Sequence, residues 1–154
     1  MTLGKAERVQ ELLKAKPELI EARTKVGGTS WAPLYIAAQE GHEEVARVLL
    51  LAGADVHGGK ENSSPLGWAV SAKRPNLELV KLLIDRGAEV NRHDSFFNYT
   101  PLHHAAQDGN VELVKLLLAA KADPTAKELH GKTPLDLAKE RKHPDIVKLL
   151  ESAK

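Results

Sequence analysis

Thr100-Pro101-Leu102-His103-His104-Ala105-Ala106 is the stretch that decides the fold. Proline is tolerated at the first position of a helix, where its missing N–H would have no partner in any case, so the run predicts a short helix opening at Pro101. Gly109-Asn110 stops that helix and starts a second. From Val111 to Ala120, Leu113, Leu116, Leu117 and Ala120 fall at i, i+3, i+4, i+7 spacing and make one apolar stripe, while Glu112 and Lys115 point outward. The unit reads helix, turn, helix, loop.

Working outward, the Pro-Leu pair recurs at Pro33-Leu34, Pro65-Leu66, Pro101-Leu102 and Pro134-Leu135, at intervals of 32, 36 and 33 residues. Part of the longer middle interval lies in Ser71-Ala72-Lys73-Arg74-Pro75, between the helices of the second copy, and the rest lies ahead of Pro101. Gly53 and Gly87 follow the second helices of two copies and suit a left-handed terminating residue, a place that Lys121 holds in the third. A lysine in that backbone costs up to about 1 kcal/mol.

Thr100 to Ala105 fits the T-P-L-H-x-A signature, and the pattern continues through Gly109-Asn110-Val111-Glu112-Leu113-Val114 and Leu116-Leu117. On these residues the chain resembles the ankyrin repeat family. The other copies are degenerate: Ala32 to Ala38, Ser64 to Val70 and Thr133 to Lys139. Gly4 to Leu13 looks like the second half of one further repeat. The resemblance implies an all-α solenoid of helix-turn-helix units with β-turn or hairpin fingers. Residues 1–154 then form one domain: a half repeat or cap at 4–26, repeats at 27–58, 59–93 and 94–126, and a capping repeat at 127–154. Glu151, standing where inner copies have Leu50, Ile84 and Leu118, marks a terminal repeat that faces water. At the other end the first helix of a repeat is lacking before Gly4, so either the natural chain is longer or a single helix suffices as the cap.

Composition narrows the chemistry. The 154 residues include no cysteine, and 22 Lys+Arg against 21 Asp+Glu leave a charge of +1, which gives no general pull towards nucleic acid or membrane. No apolar run is longer than Val48 to Ala52, which is far shorter than a membrane span, and Lys5, Glu7 and Arg8 occupy the place of a signal peptide's apolar core. A cytoplasmic monomer is the expectation. His42-Glu43-Glu44-Val45-Ala46 begins like a zinc-protease helix but lacks its second histidine. Gly58-Gly59-Lys60 ends like a phosphate loop but is followed by Glu61. His93, His103 and His104 with Asp94 and Asp108 tempt a metal reading, yet adjacent helical residues point about 100° apart, so His103 and His104 do not readily share one ion. No catalytic residue, metal or cofactor is expected. The resemblance instead gives His103 a hydrogen-bonding role between neighbouring repeats. His104 is the odd residue, since Ile36, Trp68 and Leu137 take its place elsewhere, and a polar ring there needs a partner or partial exposure.

What is left is the surface. Tyr35 and Trp68 fall within first helices and read as packing. Trp31, Phe96, Phe97 and Tyr99 fall in loops, where large aromatic residues are typical interface anchors. The resemblance places binding-prone side chains at the sixth and seventh residues after each repeat proline: Gln39 and Glu40, Ser71 and Ala72, Gln107 and Asp108, Glu140 and Arg141. The expected site is therefore Trp31, Gln39, Glu40, Phe96, Phe97, Tyr99, Gln107, Asp108, Glu140 and Arg141. It would bind a protein or peptide partner carrying Lys or Arg beside an apolar residue. The insertion around Pro75 and a short finger at Gly58 to Asn62 would split this face. The competing expectation is a structural or engineered scaffold, or a fragment of a larger chain, with no ligand of its own.

Overall fold

The computed structural model describes residues 4–26, 29–58 and 64–153. Each repeat proline begins a seven-residue helix: α2 (Pro33–Gln39), α4 (Pro65–Ser71), α6 (Pro101–Gln107) and α8 (Pro134–Glu140). Each is followed by a nine-residue partner: α3 (Glu43–Leu51), α5 (Leu77–Asp85), α7 (Val111–Ala119) and α9 (Pro144–Ser152). Ahead of them run α1 (Lys5–Ala15) and a 3₁₀ turn at Pro17–Glu21. The expected all-α repeat stack is the observed architecture.

Local chemistry sets the helix ends. Asn76 and Asn110 cap α5 and α7 by accepting from Leu79 N–H at 3.1 Å and Leu113 N–H at 3.0 Å, and Ser64 caps α4 through Gly67 N–H at 3.0 Å. The second helices of three repeats stop alike: Gly53, Gly87 and Lys121 have φ of 97°, 89° and 67°. The next residues, Ala54, Ala88 and Ala122, then donate back to the carbonyls of Leu49, Leu83 and Leu117. Lys121 thus keeps the glycine-type backbone despite its side chain.

Stacking follows from the small residues. Ala37, Ala38, Ala69, Ala105, Ala106 and Ala138 are buried on the first helices, which lets α2, α4, α6 and α8 lie close together. The second helices supply the larger core residues, among them Leu49, Leu79, Leu83, Leu113, Leu117, Ile146 and Leu150, and they touch their neighbours less extensively than the first helices do. The stack is therefore tighter on the first-helix side. Side chains stitch adjacent repeats together: Asn76 donates to Gly41 O at 3.3 Å, and His143 Nε2 lies 3.1 Å from Gln107 O.

The fingers are of two kinds. Thr24–Val26 (β1) pairs antiparallel with Thr29–Trp31 (β2), with Thr24 opposite Trp31. The loop from Asn91 to Tyr99 forms turns instead of a ladder, closed by Asp94 N–H donating to Tyr99 O at 2.7 Å. Residues 59–62 of the short finger expected at Gly58 to Asn62 lie outside the described residues. In the second repeat, α4 gives way at Ala72 to extended backbone (ψ 148°) and a bend through Arg74, so the tight turn of the other repeats is replaced where the sequence carries its insertion.

Candidate partner-binding site

The finger ahead of α6 is built around one carboxylate. Asp94 Oδ1 accepts from the amides of Phe96 and Phe97, each at 3.0 Å, and of Tyr99 at 3.3 Å, while Oδ2 lies 2.9 Å from His104 Nε2 on α6. Burial opposes ionisation of Asp94, but the Phe97 amide, His104 and the Tyr99 amide outweigh it and hold the carboxyl below the usual aspartate value. His104 therefore has a partner, and its ring fastens the finger to the helix beneath.

His103 does a different job on the same helix. Its Nδ1 accepts from Thr100 N–H at 3.1 Å, which leaves Nε2 to carry the proton and donate to Lys132 O at 3.2 Å in the following loop. The ring is fully buried, and burial pushes its pKa down despite the bond to Lys132 O, so the neutral form belongs to the fold. Tyr99 stacks on His103 at 5.4 Å, meets His104 at 5.1 Å and leans on Phe97 at 5.6 Å. Phe97 O also accepts from Leu129 N–H at 3.0 Å in the next finger.

The result is a hydrogen-bonded tip with apolar side chains facing out. Phe96 is 69% exposed, Phe97 55% and Leu129 67%. Tyr99 is half-buried beneath them. Trp31, expected as an interface anchor, is half-buried, packed on Tyr35 at 5.7 Å and edge-on to Trp68 at 5.2 Å. A cleft of about 190 Å³ separates Trp68 and Gly67 on α4 from Asp94, Phe97, Tyr99 and His104.

The polar residues expected to share this face do not converge on one pocket. Gln39 and Glu40 border a depression on the far side of Trp68, with Ser71, Ala72, Lys73 and Arg74. Asp108 borders another with Ala72, Pro75 and Asn110. Gln107 is half-buried, with its carbonyl taken by His143. Glu140 is paired to Lys132 at 2.8 Å, and Arg141 is exposed at the end of α8. Sequence reasoning missed Gly67 and the anchoring part played by Asp94. The available signal was the place of Gly67, which in the other repeats is held by Tyr35, His103 and Asp136.

No cluster of three or more potential metal ligands occurs among the described residues, and no helix among them is long and apolar enough to cross a membrane. The fold defines a class: a solenoid of stacked helix-turn-helix repeats with loops along one edge. A family model described as ankyrin repeats (3 copies) matches residues 2–94 and 66–154. The chain is 33% identical over 129 residues to cyclin-dependent kinase 4 inhibitor B of Mus musculus, covering 83% of this chain and 97% of that protein. It is also 33% identical to tyrosine-protein kinase Shark of Drosophila melanogaster over 86% of this chain and 14% of that protein. With ankyrin repeat protein nuc-2 of Neurospora crassa the identity is 33% over 84% of this chain and 12% of that protein. The chain thus spans a small part of the length of the latter two. It belongs to the ankyrin repeat family. Such repeats are generally modules that bind other proteins.

Proposed function

We propose that residues 1–154 act as one non-catalytic binding domain that engages a protein or peptide partner through its finger tips and the adjoining first-helix face. One observation carries this reading. Phe96 and Phe97 present large apolar surfaces to water on a loop whose amides are tied to the Asp94 carboxylate. Exposed aromatic side chains on a pre-ordered support lose little conformational entropy on binding, which is the usual character of an interface anchor. Tyr99 supports them from below, while Trp31 contributes by fixing Trp68. Gln39, Glu40, Gln107, Asp108 and Arg141 supply polar rim on either side, with the Glu140 carboxylate already paired to Lys132.

The test is affinity capture with the full chain beside a Phe96→Ser, Phe97→Ser variant, with the folded state of both checked by circular dichroism. A partner held by the parent and lost by the folded variant supports the finger surface as the working site. Equal retention of partners by both overturns it.

A further inference from the structure

The cleft beside Gly67 has the dimensions of a missing side chain. In the first repeat Tyr35, two residues after the repeat proline, is buried and its hydroxyl donates to Gly58 O in the next loop at 2.9 Å. In the third repeat His103 occupies the same place and reaches Lys132 O in the loop that follows. Both rings bridge a first helix to the next finger. The second repeat has Gly67 there, and its next finger is the one that carries Asp94, Phe96 and Phe97. Nothing in the backbone requires glycine at this position. Gly67 lies within α4 without a left-handed φ, and a Cβ on it would meet only Ser64 Oγ, at an ordinary 3.5 Å. The space opposite is therefore an unfilled ring site.

We infer that this cleft receives one uncharged aromatic side chain from the partner segment, which completes the second repeat as Tyr35 and His103 complete the first and third. The inference rests on the binding role proposed above. Size favours it: the cleft's 190 Å³ exceeds the about 150 Å³ apolar cavity that holds benzene but falls short of the roughly 300–1,000 Å³ of small-molecule pockets. The lining favours a ring, since Trp68, Phe96, Phe97 and Tyr99 offer faces and edges for offset or edge-on contact. The charged groups at the cleft favour a neutral ring over a lysine or arginine as the inserted group. Asp94 Oδ1 already accepts three amides and Oδ2 faces His104, and Arg92, which also borders the cleft, donates to His57 O at 2.8 Å. An inserted cation would lose its water, meet Arg92 as a like charge and have to share the Asp94 carboxylate with the bonds that already hold the finger. The cationic residue anticipated for the partner thus belongs on the rim, near Glu40 or Asp108.

Titration of the ¹⁵N-labelled full chain with p-cresol, followed by ¹H–¹⁵N correlation spectra, tests this, with n-butylamine as the charged comparator. The expected result is saturable shifts confined to the Gly67, Phe97 and Tyr99 amides and the Trp68 indole, with no response at these sites to n-butylamine. Gly67→Leu, which fills the cleft from α4, should weaken p-cresol binding at least tenfold in a protein that still melts cooperatively. Should that variant misfold, Gly67→Ala should weaken binding at least threefold. Scattered or unsaturable shifts, an equal response to n-butylamine, or unchanged p-cresol affinity in a folded Gly67 variant would overturn the inference. The two readings separate cleanly. A partner lost on Phe96→Ser, Phe97→Ser substitution but held undiminished by folded Gly67→Leu leaves the binding role standing and removes the inserted ring.

Discussion

The second and third repeats share a backbone plan and differ in how they are wired. In the third, His103 is buried and bonded to its own turn and to the next loop, while Asn110 and Gly109 make a tight connection between α6 and α7. In the second, glycine replaces the bridging ring and a bent connection replaces the tight one. Repeat stability is a sum of intrinsic terms and neighbour contacts, so one repeat can give up its internal bridge while its neighbours hold it in place. The difference shows how such a stack keeps its core and still opens a cleft at one chosen level.

The comparison breaks most visibly in the core. Leu113→Ala in the third repeat should destabilise by roughly 2–5 kcal/mol in urea denaturation, because the side chain is fully buried. A change below about 0.5 kcal/mol, the scale of ordinary surface substitutions, would show that α7 does not face the core as described.

His103→Ala, which gives the third repeat the open wiring of the second, should cost about 1–3 kcal/mol by leaving Thr100 N–H and Lys132 O without their partner. Its pH dependence has a defined sign. The folded state holds the His103 pKa below its ordinary 6.5, so the unfolded chain binds the proton more readily. The stabilisation is complete above pH 6.5 and is lost as pH falls from there towards the lower folded pKa. Urea midpoints measured across that interval should fall less steeply in His103→Ala than in the parent, and parallel curves would count against the buried neutral ring.

Lys121→Gly should stabilise by up to about 1 kcal/mol, since it restores at φ 67° the residue that Gly53 and Gly87 supply in the first two repeats. Thermal melting checks it, and a lower melting temperature would assign the lysine side chain a contact worth more than the backbone strain. The smallest effect is expected for Phe96→Ser with Phe97→Ser. Both rings are largely exposed, so stability should stay within about 0.5 kcal/mol of the parent in the same assay. A larger loss would turn the finger tip from a contact surface into part of the fold.

Much of the fold was legible because proline and glycine act locally. Pro33, Pro65, Pro101 and Pro134 each open a helix where the sequence placed one, and Gly53 and Gly87 terminate helices through a backbone that few other residues adopt. Phe96 and Phe97 were readable as exposed because rings in a polar loop have few places to hide. Trp31 misled for the opposite reason: its half-burial depends on Trp68, 37 positions away in sequence, which only stacking brings within reach. Asp94 was visible as a carboxylate but not as the hub of its loop, since that follows from the directions of three amides. Gly67 was hardest to read, because a vacancy takes meaning only from the side chains that fill the equivalent place elsewhere.

The two ends of the stack are held unequally. No residue of α1 is fully buried, whereas α9 buries Ile146 and Leu150. Opening free energies follow buried contacts, so amide protons in α1 should exchange with solvent sooner than those in α9. The cleft-bearing second repeat lies nearer the helix that opens first.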